Sequence, residues 1–113
     1  MKFLKQKDSK TFDNISTIST EYPLGDKDIN IAIEIIKGRY PEKGLAFNTI
    51  CKEMYYVLEG SGKIVIEGET VLLEKGDVVL IEPNEKYYIE GNLKLVIPCT
   101  PEWTKEQHKI INP

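Results

Sequence analysis

Histidine is almost missing from this sequence: 113 residues contain one, His108. Tryptophan is as scarce, with Trp103 alone, and cysteine stops at two, Cys51 and Cys99. These shortages exclude the common metal arrangements. Iron, nickel and zinc sites take three or four imidazole, thiolate or carboxylate donors, and neither cysteine belongs to a CxxC pair. A Cys51–Cys99 disulfide is the alternative to two buried free thiols, which a reducing compartment favours. No stretch approaches the roughly 20 apolar residues that cross a bilayer, and the opening MKFLKQKDSK has no signal-peptide core. The expectation is a cytoplasmic protein without membrane contact. A basic surplus is missing too: 15 Lys and Arg face 18 Asp and Glu, a net charge of −3, which disfavours nucleic acid as a partner. Nothing repeats at helical spacing, and there is no internal repeat or low-complexity tract.

What is present reads as β structure. Hydrophobic residues make up 41% and charged residues 29%, the balance of a globular domain, and the length suits one core. Residues 1–28 are polar and read as an arm with one possible edge strand. In 29–99, Ile29, Ile31, Ile33 and Ile35 alternate with Asn30, Ala32 and Glu34, which predicts a strand with the isoleucines on its buried face. The runs Met54–Leu58, Lys63–Glu67, Thr70–Leu73, Val78–Ile81, Tyr87–Ile89 and Leu93–Ile97 are apolar or aromatic. Turn residues such as Glu59-Gly60-Ser61-Gly62, Gly76-Asp77 and Pro83-Asn84 separate them. Many short strands with frequent turns predict a sandwich or barrel. Residues 100–113 read as a tail or short helix, opened by Thr100-Pro101-Glu102, with Trp103 as a staple onto the barrel.

Glu53 is followed by six residues and Gly60, and the phrase Tyr56-Val57-Leu58-Glu59-Gly60-Ser61-Gly62 follows on. Further along, Gly76-Asp77 leads to Pro83, Tyr88 and Asn92. These two segments resemble the signature motifs of the cupin superfamily, in its small single-domain form. The resemblance implies an all-β double-stranded β-helix, or jelly roll. In the family, the first motif carries two histidines ahead of the glutamate, and the second carries one more. Here those positions fall on Phe47 and Thr49, or on Ala46 and Asn48, and on Tyr88. Only Glu53 survives of the four usual ligands, so the resemblance implies a cupin without its usual metal site and with no cofactor.

By the same resemblance Glu53 faces the barrel interior. Strand alternation then puts Thr49, Cys51, Tyr55 and Val57 on that side, and the family spacing brings Tyr88 to the same point. A buried carboxylate needs partners; Tyr88, Tyr55, Arg39 and Lys86 are the candidates. Arg39, near the barrel mouth, suits a carboxylate or phosphate. The candidate binding set is therefore Glu53, Tyr88, Cys51, Tyr55, Thr49, Asn48, Arg39 and His108, for a small polar or anionic molecule. The leading expectation is a metal-free, non-enzymatic binding module, and many small cupins are homodimers. The rivals are a metal-free acid/base enzyme of the sugar epimerase or isomerase kind and a metalloenzyme with atypical ligands. What separates the first two is whether His108 reaches the pocket.

Overall fold

A computed structural model describes residues 1–112. Nine strands form one strongly curled antiparallel sheet: β1 (Lys10–Asp13), β2 (Thr17–Glu21), β3 (Asn30–Tyr40), β4 (Leu45–Asn48), β5 (Lys52–Ile66), β6 (Glu69–Glu74), β7 (Val78–Ile81), β8 (Tyr87–Thr100) and β9 (His108–Ile111). The order runs β1-β2-β3-β8-β4-β9, and β5 pairs with β6, β7 and β8. The fold is the jelly-roll barrel that the resemblance implies. No helix is long and apolar enough to cross a membrane among the described residues.

The long strands β5 and β8 carry the barrel. In β8 Tyr87, Ile89, Leu93, Leu95, Ile97 and Cys99 are buried and alternate with less buried neighbours, so one face closes the core. In β5 Glu53, Tyr55 and Val57 point inward by the same alternation. The two strands cross closely where β5 bulges between Val57 and Glu59. Gly60 sits there at φ 89°, and a side chain on it would run into the Asn92 carbonyl. The lower barrel is filled by Ile36, Val57, Ile64, Leu73, Ile89 and Leu95, each at most 2% exposed.

Two expectations change. The period of two in β3 is present, but its polarity is inverted: Ile29 and Ile31 are exposed, while Ala32, Glu34 and Ile36 face the interior. The barrel is hollow at this end, so Ala32 and Glu34 line a cavity whose border Ile29 and Ile31 share, while Ile33 and Ile35 are half-buried. The tail is not a helix either. A single 3-10 turn, Lys105–Gln107, leads into β9, which pairs antiparallel with β4 so that Asn48 opposes His108. Residues 1–28 supply β1 and β2, and β2 pairs with β3.

Candidate functional site

One cavity of about 710 Å³ opens at the end of the barrel away from the packed core. Its floor comes from Glu53 and Tyr55 on β5 and from Tyr87, Ile97 and Cys99 on β8. Glu34 and Tyr40 on β3 form one wall, and Trp103 and His108 form another. The β1–β2 hairpin and the loop Tyr22–Asp26 border the mouth.

Asn48, buried at the end of β4, connects the chemistry. Its Nδ2 donates to Glu53 Oε1 at 2.8 Å. Its Oδ1 accepts from Trp103 Nε1 at 3.1 Å and lies 2.8 Å from His108 Nδ1. An indole N–H can only donate, so the amide orientation follows, and His108 Nδ1 must carry a proton to share the same oxygen. In the neutral imidazole Nε2 is then an acceptor, and the Tyr40 hydroxyl donates to it at 2.6 Å. The ring of His108 also lies against Trp103, centroids 5.7 Å apart. Burial lowers the His108 pKa from 6.5, which favours this neutral form.

Burial pushes the Glu53 carboxyl up to about 7, against the opposing pull of the Asn48 hydrogen bond. Glu34 is also pushed up to about 7, first by burial and then by the charges of Glu53 and Glu21. No protein hydrogen bond reaches the Glu34 carboxyl among the described residues. Tyr40 is raised, by burial foremost and then by Glu34 and Glu53. Below the cavity, Tyr55 and Tyr87 share a hydroxyl–hydroxyl bond of 2.9 Å and are raised well above the ordinary phenol value, chiefly by burial.

The sequence-derived candidates divide. Glu53, Tyr55 and His108 line the cavity, and Asn48 holds Glu53 and His108 from behind. Tyr88 does not line it. β8 alternates, so Tyr87 takes the interior position and Tyr88 faces the other side, where the Arg39 guanidinium lies 4.0 Å from its ring centroid. Arg39 itself donates to the carbonyls of Pro41 (2.6 Å) and Gly44 (3.1 Å) and is absent from the lining. Thr49 is exposed, because β4 ends at Asn48 and the chain turns before β5, which breaks the assumed alternation. Cys51 is buried behind the site, its backbone N–H bonded to Gln107 Oε1 at 2.8 Å. Both cysteines are free thiols. Lys86 lies 5.0 Å over the Phe47 ring. Sequence reasoning passed over Glu34, which read as an outward residue between isoleucines, over Tyr40, which read as part of the turn-rich link Arg39–Gly44, and over Tyr87, the neighbour of Tyr88.

The donor set does not fit the metal of the usual cupin site. Both His108 nitrogens are engaged, at Asn48 and Tyr40, and Asn48 Oδ1 already accepts two bonds. Among the described residues no three His, Cys, Asp or Glu side chains gather in a ligating group.

A curled antiparallel barrel with its polar cavity at one end is the cupin fold. The family model described as "Cupin domain" matches residues 48–97. No curated protein sequence matches the chain. Among solved structures, the nucleoside dehydratase Pac13 of Streptomyces is similar at 18% identity and a TM-score of 0.89, with 99% of this chain and 92% of that one covered. Ectoine synthase from P. lautus is similar at 20% identity and 0.70, covering 91% and 82%. KdgF from Halomonas sp. is similar at 14% identity and 0.67, covering 89% and 95%. At such identities the likeness is one of fold.

Proposed function

We propose that this cupin is a metal-independent acid/base enzyme acting on a small, hydroxyl-rich molecule, with Glu53 as proton acceptor and Glu34 as proton donor. The observation that carries this reading is a pair of cavity carboxyls, both raised to about 7, beside the hydrogen-bonded Tyr40–His108 pair. Surface carboxylates are ionised at neutral pH and cannot donate; carboxyls poised near 7 can exchange protons in either direction. The Asn48 bond favours the ionised form of Glu53, and the Glu53 charge in turn favours the protonated form of Glu34. That assigns the base and the acid.

In an elimination the substrate C–H proton passes to Glu53 and the C–H electron pair becomes the new double bond. The hydroxyl on the adjacent carbon leaves with the Glu34 proton as water. In an isomerisation the proton returns to a different carbon. Tyr40 gives its hydrogen to His108, so its oxygen is left to accept a bond from a substrate hydroxyl. Whether His108 reaches the pocket separates the binding module from the acid/base enzyme, and its place in the cavity wall favours the enzyme. The fold likeness to Pac13, described as a nucleoside dehydratase and solved with uridine in variants lacking one histidine or one tyrosine, supports a hydroxylated ligand.

The test is incubation in D2O with uridine and with free pentoses and hexoses, followed by NMR. The expected result is solvent deuterium at a carbon, or loss of a hydroxyl, for at least one compound. Glu53→Gln should slow it by about a hundredfold or more, the scale of a lost general base. Ligands that bind with no exchange in the wild type would return the protein to the binding-module reading.

A further inference from the structure

We infer that the ligand of this cavity carries no negative charge: the site takes a neutral, hydroxyl-bearing molecule with a flat ring, a nucleoside rather than a nucleotide. The inference deepens the acid/base reading and rests on it for the location of the site. The charges on the lining are almost all of one sign. Glu21, Glu34 and Glu53 project from the sheet, and Asp26 and Glu102 stand at the mouth. Among the described residues the only lysine or arginine on the lining is Lys105, exposed on the short turn before β9. Asp26 holds Lys2 at 3.5 Å, a cation outside the lining.

An anion site needs the opposite inventory: a guanidinium fork, an ammonium group or the N-terminus of a true helix. Arg39 is committed to two backbone carbonyls and the Tyr88 ring, outside the cavity. Lys63 and Lys86 lie over the rings of Tyr88 and Phe47, neither of which lines it. His108, with its pKa lowered by burial, adds no positive charge at neutral pH. Among the described residues the only helical segments are two three-residue 3-10 turns. A phosphate here would meet the buried Glu53 carboxylate with Glu21, Asp26 and Glu102 around it and the exposed Lys105 as the one lining cation, a repulsion that low-dielectric surroundings strengthen.

The rest of the lining describes what is accepted. Phe12, Tyr22, Tyr40 and Trp103 put four aromatic side chains on the lining, apolar surface that suits a planar ring. Glu53 and the Tyr40 oxygen accept hydrogen bonds, and the protonated Glu34 carboxyl both donates and accepts, a set that suits the O–H groups of a sugar. The volume of about 710 Å³ lies within the usual range for small-molecule sites.

Trp103 is the sole tryptophan and lines the cavity, so its fluorescence reports the local potential without any ligand. The experiment compares quenching by caesium, iodide and neutral acrylamide in the full chain and in the Glu34→Gln/Glu53→Gln double variant. Caesium should quench the wild type several-fold more efficiently than iodide. The ratio should fall towards one in the double variant, with acrylamide quenching unchanged. Iodide quenching as efficient as caesium in the wild type would overturn the inference, as would a ratio that the double substitution leaves unaltered. In a calorimetric arm uridine should bind at least about tenfold more tightly than uridine 5′-monophosphate, the factor that 1.4 kcal/mol of repulsion gives. Equal or tighter binding of the monophosphate overturns the inference, and absence of binding by both overturns the nucleoside assignment. Failure of the acid/base reading appears elsewhere: a cavity that excludes iodide and binds uridine, yet catalyses no exchange in D2O, refutes that reading and leaves the charge selectivity standing.

Discussion

Glu34→Gln removes one charge from the cavity and breaks no hydrogen bond, which makes it a clean measure of what that charge costs. The carboxyl is raised from an ordinary 4.5 to about 7 in the folded protein. A folded-state pKa above the unfolded value means that the folded chain binds more protons between those two pH values. Stability contributed by the protonated form is therefore whole below about 4.5 and is lost as pH rises through about 7. At about 1.4 kcal/mol per pH unit the full loss is about 3 kcal/mol. Glutamine keeps the volume and cannot ionise. The variant should match the wild type at pH 4 and exceed it by about 2–3 kcal/mol at pH 8, a rise in Tm of roughly 10 °C for a domain of this size. Urea unfolding at the two pH values, with the slope checked for constancy, provides the measurement. Equal stabilities at pH 8, or a less stable variant there, would refute the claim that Glu34 is held in a desolvated cavity.

Three further outcomes follow from the same geometry. Tyr87→Phe should destabilise by about 1–3 kcal/mol, because the buried Tyr55 hydroxyl loses its partner, whereas Tyr88→Phe should stay within about 0.5 kcal/mol; thermal unfolding of both distinguishes the two neighbours. NMR titration should place the His108 midpoint below 6.5, with the Nε2 acceptor tautomer above it, and acidification through that range should cost stability as the buried ring is forced to charge. Exposed Met54 and Tyr56 on β5 stand opposite Leu80 and Val78 on the edge strand β7, an apolar strip that we propose as the self-association face. Light scattering should give twice the chain mass, and Leu80→Glu should give a monomer.

The barrel was readable because its cause is local. Alternation in the β5 and β8 segments, glycines at turns and the two motif segments all point to one architecture, and Glu53 falls where its motif implies. The site was readable only in part, because its other members are set by long-range pairing. Nothing local in residues 29–36 distinguishes a strand whose isoleucines face a core from one whose glutamate faces a hollow; the cavity on the far side decides. Tyr88 was chosen by counting along a motif, and a one-residue offset in a strand turns a side chain to the opposite face. Thr49 was misplaced because alternation was carried through a turn. His108 entered the site through the β4–β9 pairing, across sixty positions of sequence.

The flanks of the matched segment carry a consequence for how such proteins diversify. Glu34, Tyr40, Trp103 and His108 all lie outside residues 48–97, while Asn48 and Glu53 lie within them. The matched segment thus presents one carboxylate and one amide, the neighbouring barrel strand β3 brings Glu34 and Tyr40, and the C-terminal segment brings Trp103 and His108. Changing the cavity-facing side chains of these flanks, with Ile36 kept in the core beside Ile64, Leu73 and Leu95, would alter what the cavity presents, so two barrels superposable strand for strand can differ in what they hold.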